Sequence, residues 1–240
     1  MMSSVNAIEN TSVIFIETST LVCSVAISKG DRICAERVVK EPKAHAKIIP
    51  QLLREVLAEA GIGIEGCEAV CISSGPGSYT GLRVGVSFAK GLCYGSGMPL
   101  ISVGSLELLA RCAIDAADFT PDRYRSIVPM IDARRMEVYT ATFSGNGEGI
   151  TPVEAHIITA DSFSNELEEG AVLFCGDGAE KAANIITHRN ASFLPLDSKA
   201  SGMLHPALEK LQNGEFEDVA YFEPFYLKDF IAGISKKRLF

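Results

Sequence analysis

The order of apolar segments along this chain occurs twice, and that repetition restricts the fold more than any single motif. Residues 13–17, 22–28 and 32–39 are short apolar runs divided by the polar turn Thr18-Ser19-Thr20 and by Lys29-Gly30-Asp31, the pattern of three antiparallel strands. A helix follows at 44–60. In it Ile48, Leu52 and Val56 form one apolar row and Ile49, Leu53 and Leu57 the next, a face wide enough to cover a sheet. Pro50 sits early in that helix and Gly61 closes it. A continuous apolar strand at 68–74, a glycine-rich turn, a helix to about residue 95, a strand at 99–103 and a helix from 105 complete the set.

From residue 125 the order starts again. Strands are expected at 125–132, 137–143 and 150–155, a helix at 160–168, a buried strand at 171–175, a helix at 179–187, a short strand at 193–196 and a helix at 198–213. The two halves are not obviously alike in residues. Their shared order predicts an α/β protein of two lobes, each a mixed sheet flanked by helices. The polar stretch 115–122 is the junction, giving an N-terminal lobe of residues 1–114 and a C-terminal lobe of residues 115–240.

Composition excludes several classes. Of 240 residues, 47% are hydrophobic and 22% charged, enough apolar side chain for an ordinary core. The net charge of −8 argues against an independent grip on nucleic acid, because phosphate contacts need a basic face. It leaves room for work on RNA through a basic partner. The seven cysteines are scattered, with no C-x-x-C pair, and read as buried thiols of a reducing compartment. Residues 1–12 lack the basic start and apolar core of a secretion signal, and no apolar run approaches the ~20 residues of a membrane helix. The expected location is the cytoplasm, away from membranes.

The segment Ser74-Gly75-Pro76-Gly77-Ser78-Tyr79-Thr80-Gly81 leads from strand to helix. Such a turn either cradles a phosphate on uncovered backbone N–H groups or packs helix against strand. Known phosphate and nucleophile motifs fail here. Thr80 replaces the third glycine of a dinucleotide fingerprint, Pro76 and Thr80 flank Ser78 where a nucleophile elbow needs glycines, and no Gly-Lys-Ser/Thr occurs. The helix that follows carries Gly81, Gly85 and Gly91, each costing about 1 kcal/mol against alanine. Gly81, Gly85 and Ala89 share one i, i+4 row, which either packs on the chain's own sheet or receives a partner helix, with Val84 and Phe88 as apolar anchors. Asp132-Ala133-Arg134-Arg135 either contacts phosphate or forms a salt-bridged hairpin, and the basic residues 236–238 read as a solvated end.

Several blocks, in order along nearly the whole chain, resemble the TsaB (YeaZ) family. They are Ile14-Phe15-Ile16-Glu17-Thr18-Ser19-Thr20 with Cys23-Ser24-Val25-Ala26, His45 with Ile49-Pro50, and Ser74 to Gly85. Ala89-Lys90-Gly91-Leu92, Pro99-Leu100, Ser105-Leu106-Glu107, Ile131 to Tyr139, Gly176-Asp177-Gly178-Ala179 and Pro224 to Lys228 continue the match. The resemblance implies two ribonuclease-H-like lobes of the actin, sugar kinase and heat-shock ATPase superfamily. It implies phosphates between the lobes, with Thr18, Ser19, Thr20, Gly75, Gly77, Asp132 and Gly176 as the nucleotide contacts; Glu17 stands where the family more often has Asp.

The related TsaD family carries a metal-binding His-x-x-x-His where this chain has Ser105 and Leu109, so no metal is expected, and the four histidines stand apart. The resemblance therefore implies a scaffold that is not catalytic by itself and requires no cofactor, with ATP or ADP admitted at the partner interface. It would bind a TsaD-like catalytic subunit through the helices at 44–60 and 81–95, using Ile48, Leu52, Val56, Gly81, Val84, Gly85, Phe88 and Ala89. A TsaE-like ATPase would join, tRNA would be reached indirectly, and the same face would form a homodimer when the partner is absent. The alternative is an autonomous ATPase, kinase or glycoprotease-like hydrolase working in the inter-lobe cleft.

Overall fold

The computed structural model describes residues 11–41, 44–116, 119–120 and 123–228. The first half forms β1 (Val13–Glu17), β2 (Cys23–Lys29), β3 (Arg32–Val39), α1 (His45–Ala60), β4 (Ala69–Ser73), α2 (Tyr79–Ser96), β5 (Leu100–Val103) and α3 (Ser105–Ile114). The second forms β6 (Ser126–Asp132), β7 (Glu137–Thr140), β8 (Phe143–Ser144), β9 (Glu154–Ile157), α4 (Ser164–Glu169), β10 (Val172–Cys175), α5 (Ala179–Ala183), β11 (Ala191–Leu194) and α6 (Leu204–Asn213).

The strand order of the first sheet is β3-β2-β1-β4-β5, and that of the second, read from its far edge, is β9-β7-β6-β10-β11. The two orders are the same. In each, the first three strands pair antiparallel and the last two join parallel. β1 and β4 are buried along their whole length, which explains runs of apolar residues without alternation. Successive residues of β1 face opposite sides. Ile14 and Ile16 enter the core beneath α1 and α2, with Val25, Ile49, Val56, Ile72 and Ala89. Val13 and Phe15 enter a central core that joins the lobes, with Leu106, Leu109, Ile127, Leu173 and Met203. A third core covers the outer face of the second sheet around Val128, Val138 and Phe174.

Several expected elements differ. The strand expected at 137–143 is broken into β7 and β8, both on β6, because the Thr142 carbonyl accepts the N–H groups of Ile150 and Thr151 at 2.8 and 3.2 Å. That hairpin closure also moves the third strand from 150–155 to Glu154–Ile157. The helix expected from residue 160 starts at Ser164, after Phe163 takes the left-handed conformation with φ 60°. The helix expected at 179–187 ends at Ala183. The helix expected at 198–213 opens as a 3-10 turn, Ala200–Met203, before α6.

Beyond α6 the chain recrosses the first lobe as a strap. The Glu217 N–H donates to the Leu100 carbonyl at 2.8 Å, and its carboxylate accepts from Ser102 Oγ at 2.5 Å. Val219 and Phe222 pack against the α1–α2 core. Lys90 Nζ donates to the Ala220 and Phe222 carbonyls, both at 3.0 Å. The Phe225 N–H donates to the Ser74 carbonyl at 2.7 Å, and Lys228 pairs with Glu137 of β7. Although the two sheets divide between β5 and β6, the packing does not divide there. Because a charged donor bonded to carbonyl oxygens contributes about 1.5–3 kcal/mol, Lys90→Met should lower unfolding stability by roughly that amount with an unchanged m-value in urea.

Candidate functional site

The turn after β1, the Gly75–Gly77 turn after β4, the turn after β6 and Gly176–Gly178 after β10 all lie at the C-terminal ends of parallel-running strands, where crevices of α/β proteins form. The lobes meet there. Lys40 of the first pairs with Asp197 of the second at 2.7 Å, and the charge of Asp177 reaches Glu17.

Glu17 is fully buried. Its Oε1 accepts from the Ser19 N–H at 2.7 Å and from the Ser19 hydroxyl. Its Oε2 and the hydroxyl of Ser73 have no regular hydrogen-bond partner, though Ser73 lies close enough to favour the ionised form. Burial pushes the Glu17 carboxyl up, against the lowering by Ser19 and Ser73. This carboxylate is turned into its own turn and held away from the crevice.

The expected nucleotide contacts are engaged in the same way. Thr18, Ser19 and Thr20 are buried, and Thr20 Oγ1 accepts the Val22 N–H at 3.2 Å. A Cβ at Gly77 would lie 2.2 Å from the Ser19 carbonyl oxygen, at Gly75 2.5 Å from that of Phe225, and at Gly176 2.5 Å from that of Met130. The glycines therefore serve close approach of the chain to itself. Asp132 Oδ1 accepts from the Arg134 N–H at 2.6 Å and from Lys181 Nζ at 2.9 Å. Among the described residues no three His, Cys, Asp or Glu side chains converge as a metal site.

The small-residue row of α2 also faces inward. A Cβ at Gly81 would lie 2.1 Å from the Thr18 carbonyl oxygen, at Gly85 2.2 Å from Thr18 Oγ1, and Ala89 is wholly buried. No partner helix can enter that row, and Leu52 and Val56 are likewise consumed by the chain's own core. Of the expected partner contacts, Ile48, Val84 and Phe88 reach the surface. Val84 and Phe88, with Ala46, Ile49, Arg83 and Ser87, line a groove of about 440 Å³ between α1 and α2. The next row along α2 is the open one. Ser87, Gly91 and Gly95 are exposed, nothing lies within 4 Å of a Cβ at Gly91 or Gly95, and Tyr94 beside them is 89% exposed. The phase was readable in sequence from Leu82, Val86 and Cys93, whose apolar stripe fixes which glycines point inward.

The hairpin network at Asp132 forms through Lys181 and not through the arginines. Lys181 Nζ also donates to the carbonyls of Arg135 and Glu137 at 3.1 and 2.5 Å. Arg134 and Arg135 take φ of 70° and 52°, a left-handed conformation that costs non-glycine residues roughly 1–2 kcal/mol each. The basic residues 236–238 lie outside the described residues.

For hydrolase chemistry, one Ser-His-acid chain occurs among the described residues. Ser162 Oγ lies 2.8 Å from His156 Nε2, and His156 Nδ1 lies 3.0 Å from Glu154 Oε1. Ser162 is buried and its hydroxyl oxygen already accepts the Thr159 N–H at 2.9 Å, so it caps its own turn and is shut off from solvent. Burial pushes the thiols of Cys67 and Cys93 up to about 11 and those of Cys23 and Cys112 up to about 12, which keeps them protonated and unreactive.

Two lobes of one strand order, each a mixed sheet flanked by helices, define the molecule as a duplicated α/β fold. A solved Pseudomonas aeruginosa protein described as similar to peptidase YEAZ superposes with a TM-score of 0.79 at 23% identity, covering 91% of this chain and all of that one. The family model for TsaD, tRNA N6-adenosine threonylcarbamoyltransferase, matches residues 37–236. The tRNA threonylcarbamoyladenosine biosynthesis protein TsaB of Escherichia coli is 26% identical over 230 residues, 92% of this chain and 96% of that protein. TsaB of Haemophilus influenzae is 34% identical over 132 residues, 55% of this chain and 53% of its own length. The chain belongs to this TsaD-related family and, within it, to the TsaB (YeaZ) group.

Two outcomes follow from the site. Gly81→Ala, driven into a backbone carbonyl, should destabilise the fold by more than 1 kcal/mol, whereas Gly91→Ala, in open space on the same helix, should stabilise it by about 0.5–1 kcal/mol; chemical denaturation of both variants reads the difference. Because burial raises the folded-state pKa of Glu17 above its ordinary value of 4.5, its contribution is fully present at lower pH and is lost as pH rises through the folded-state value. Glu17→Gln should therefore gain in melting temperature relative to the parent as pH rises above the ordinary carboxylate value of 4.5, with little difference below it.

Proposed function

We propose that this chain is a non-catalytic supporting subunit in the cytoplasmic formation of threonylcarbamoyladenosine in tRNA. It docks on a TsaD-like catalytic subunit through the outer face of α1 and α2, a TsaE-like ATPase joins the assembly, and tRNA is engaged through the complex. The observation that carries this reading is a contrast on one helix. The inward row of α2 is sealed by Thr18, while the outward row of Ser87, Gly91 and Gly95 stands open beside an apolar groove.

Exposed glycines inside a helix cost stability, and close approach of a second backbone offsets that cost. Family membership supports the reaction, and the enclosure of Glu17 in its own turn supports the non-catalytic role. ATP or ADP then belongs at the contact between subunits and not in this chain's own crevice. The same outward face would pair two copies of this chain when the catalytic subunit is absent.

The test is threonylcarbamoyl transfer to tRNA by the TsaD-like and TsaE-like proteins of the same organism, with and without this chain. Transfer should require the chain. Ser87→Arg with Gly91→Leu should abolish co-elution with the catalytic subunit and reduce transfer at least about tenfold, while the isolated variant melts near the parent temperature. Undiminished transfer without the chain, or by the variant, would sink this reading.

A further inference from the structure

We propose that the hairpin turn between β6 and β7 is a phosphate contact, through which Arg134 and Arg135 hold the backbone of the RNA substrate. The inference rests on the assembly proposed above and assigns this chain a direct share in gripping the tRNA.

Charge is the first ground. Arg134 and Arg135 are exposed at the tip of the turn. Among the described residues neither guanidinium makes a hydrogen bond or an ion pair. The acids beside them are already occupied. Asp132 is held by Lys181 at 2.9 Å and Glu137 is paired with Lys228, while Asp177 is bonded to the Asp132 N–H at 2.9 Å and its burial disfavours the charged form. Two uncompensated positive charges thus stand together on a chain whose net charge is −8.

Conformation is the second ground. Both arginines are left-handed, with φ of 70° and 52°, where glycine or asparagine is the comfortable choice for a hairpin tip. Among the described residues neither arginine side chain finds a bond that offsets this. Arginine at both positions has no structural return here, so an external ligand is the remaining use.

The third ground is rigidity. Lys181 Nζ bonds the Arg135 and Glu137 carbonyls at 3.1 and 2.5 Å, and the Arg134 N–H is bonded to Asp132 at 2.6 Å. The backbone carrying the guanidiniums is therefore fixed before any ligand arrives. A guanidinium fork matches the paired oxygens of a phosphodiester. The chain's overall acidity explains why this contact acts only within an assembly that supplies further basic surface.

The experiment measures tRNA affinity of the assembled complex as a function of salt. Arg134→Asn with Arg135→Gly suits the left-handed turn and removes both charges; a second double variant, Arg134→Lys with Arg135→Lys, keeps them. The neutral variant should assemble normally, bind tRNA about tenfold more weakly at physiological salt, and show a salt slope shallower by about 2. The lysine variant should keep the parental slope.

Parental affinity and slope in the neutral variant overturn the proposal. So does loss of the partner protein from the neutral variant, which would make the turn a protein contact. If the unaltered complex neither assembles nor modifies tRNA, the assembly reading itself fails, and this contact falls with it.

Discussion

Thr18 and Ser19 lie so close to the segment leading into α2 that a methyl group at Gly77, Gly81 or Gly85 would sit 2.1–2.2 Å from their atoms. That approach clamps the β1–β2 turn against the helix. With the turn clamped, the Ser19 N–H and hydroxyl stay directed at Glu17, and the glutamate stays enclosed. The enclosed acid, the buried threonines and the filled glycine turn are consequences of one close contact. At the ends of these strands the chain is packed on itself through its turns.

The charges around the crevice follow the same economy. Asp132 is matched by Lys181, Asp197 by Lys40 and Glu137 by Lys228. Two of these pairs reach across the molecule: Lys40–Asp197 joins the segment after β3 to the segment after β11, and Lys228–Glu137 ties the strap to β7. Together with the central core of Phe15, Leu109, Ile127 and Met203, they fix one lobe against the other, which suits a body that presents surfaces to partners. The working features lie on its outside, on the outward row of α2 and on the arginine turn.

Most of the first lobe was legible because its signals are local. β3 occupies the residues expected of it, α1 starts one residue inside its expected bounds, and Gly61 ends it in the left-handed conformation. What escaped depends on contacts between residues far apart in sequence. The break between β7 and β8 is set by the Thr142 carbonyl reaching residues 150 and 151, which no periodicity announces. The strap has no helical or strand period, and its path follows Leu100, Lys90 and Ser74. At the site, the glycines of α2 were visible but their direction was not taken from the neighbouring apolar stripe. Likewise, the Asp132 turn showed its charges but not which of them Lys181 would neutralise.

The strap also bears on how the molecule is made. A chain emerging from the ribosome can pair β1 to β5 once Val103 is free, yet the outer edge of β5 finds its partner, Glu217, only after the entire second lobe has been synthesised. At ordinary elongation rates the bare edge persists for on the order of ten seconds. During that interval the nascent first lobe carries an unpaired strand edge open to wrong partners. The two lobes, alike enough to look like separable units, are therefore obliged to mature together, the earlier one sealed by the last-made part of the chain.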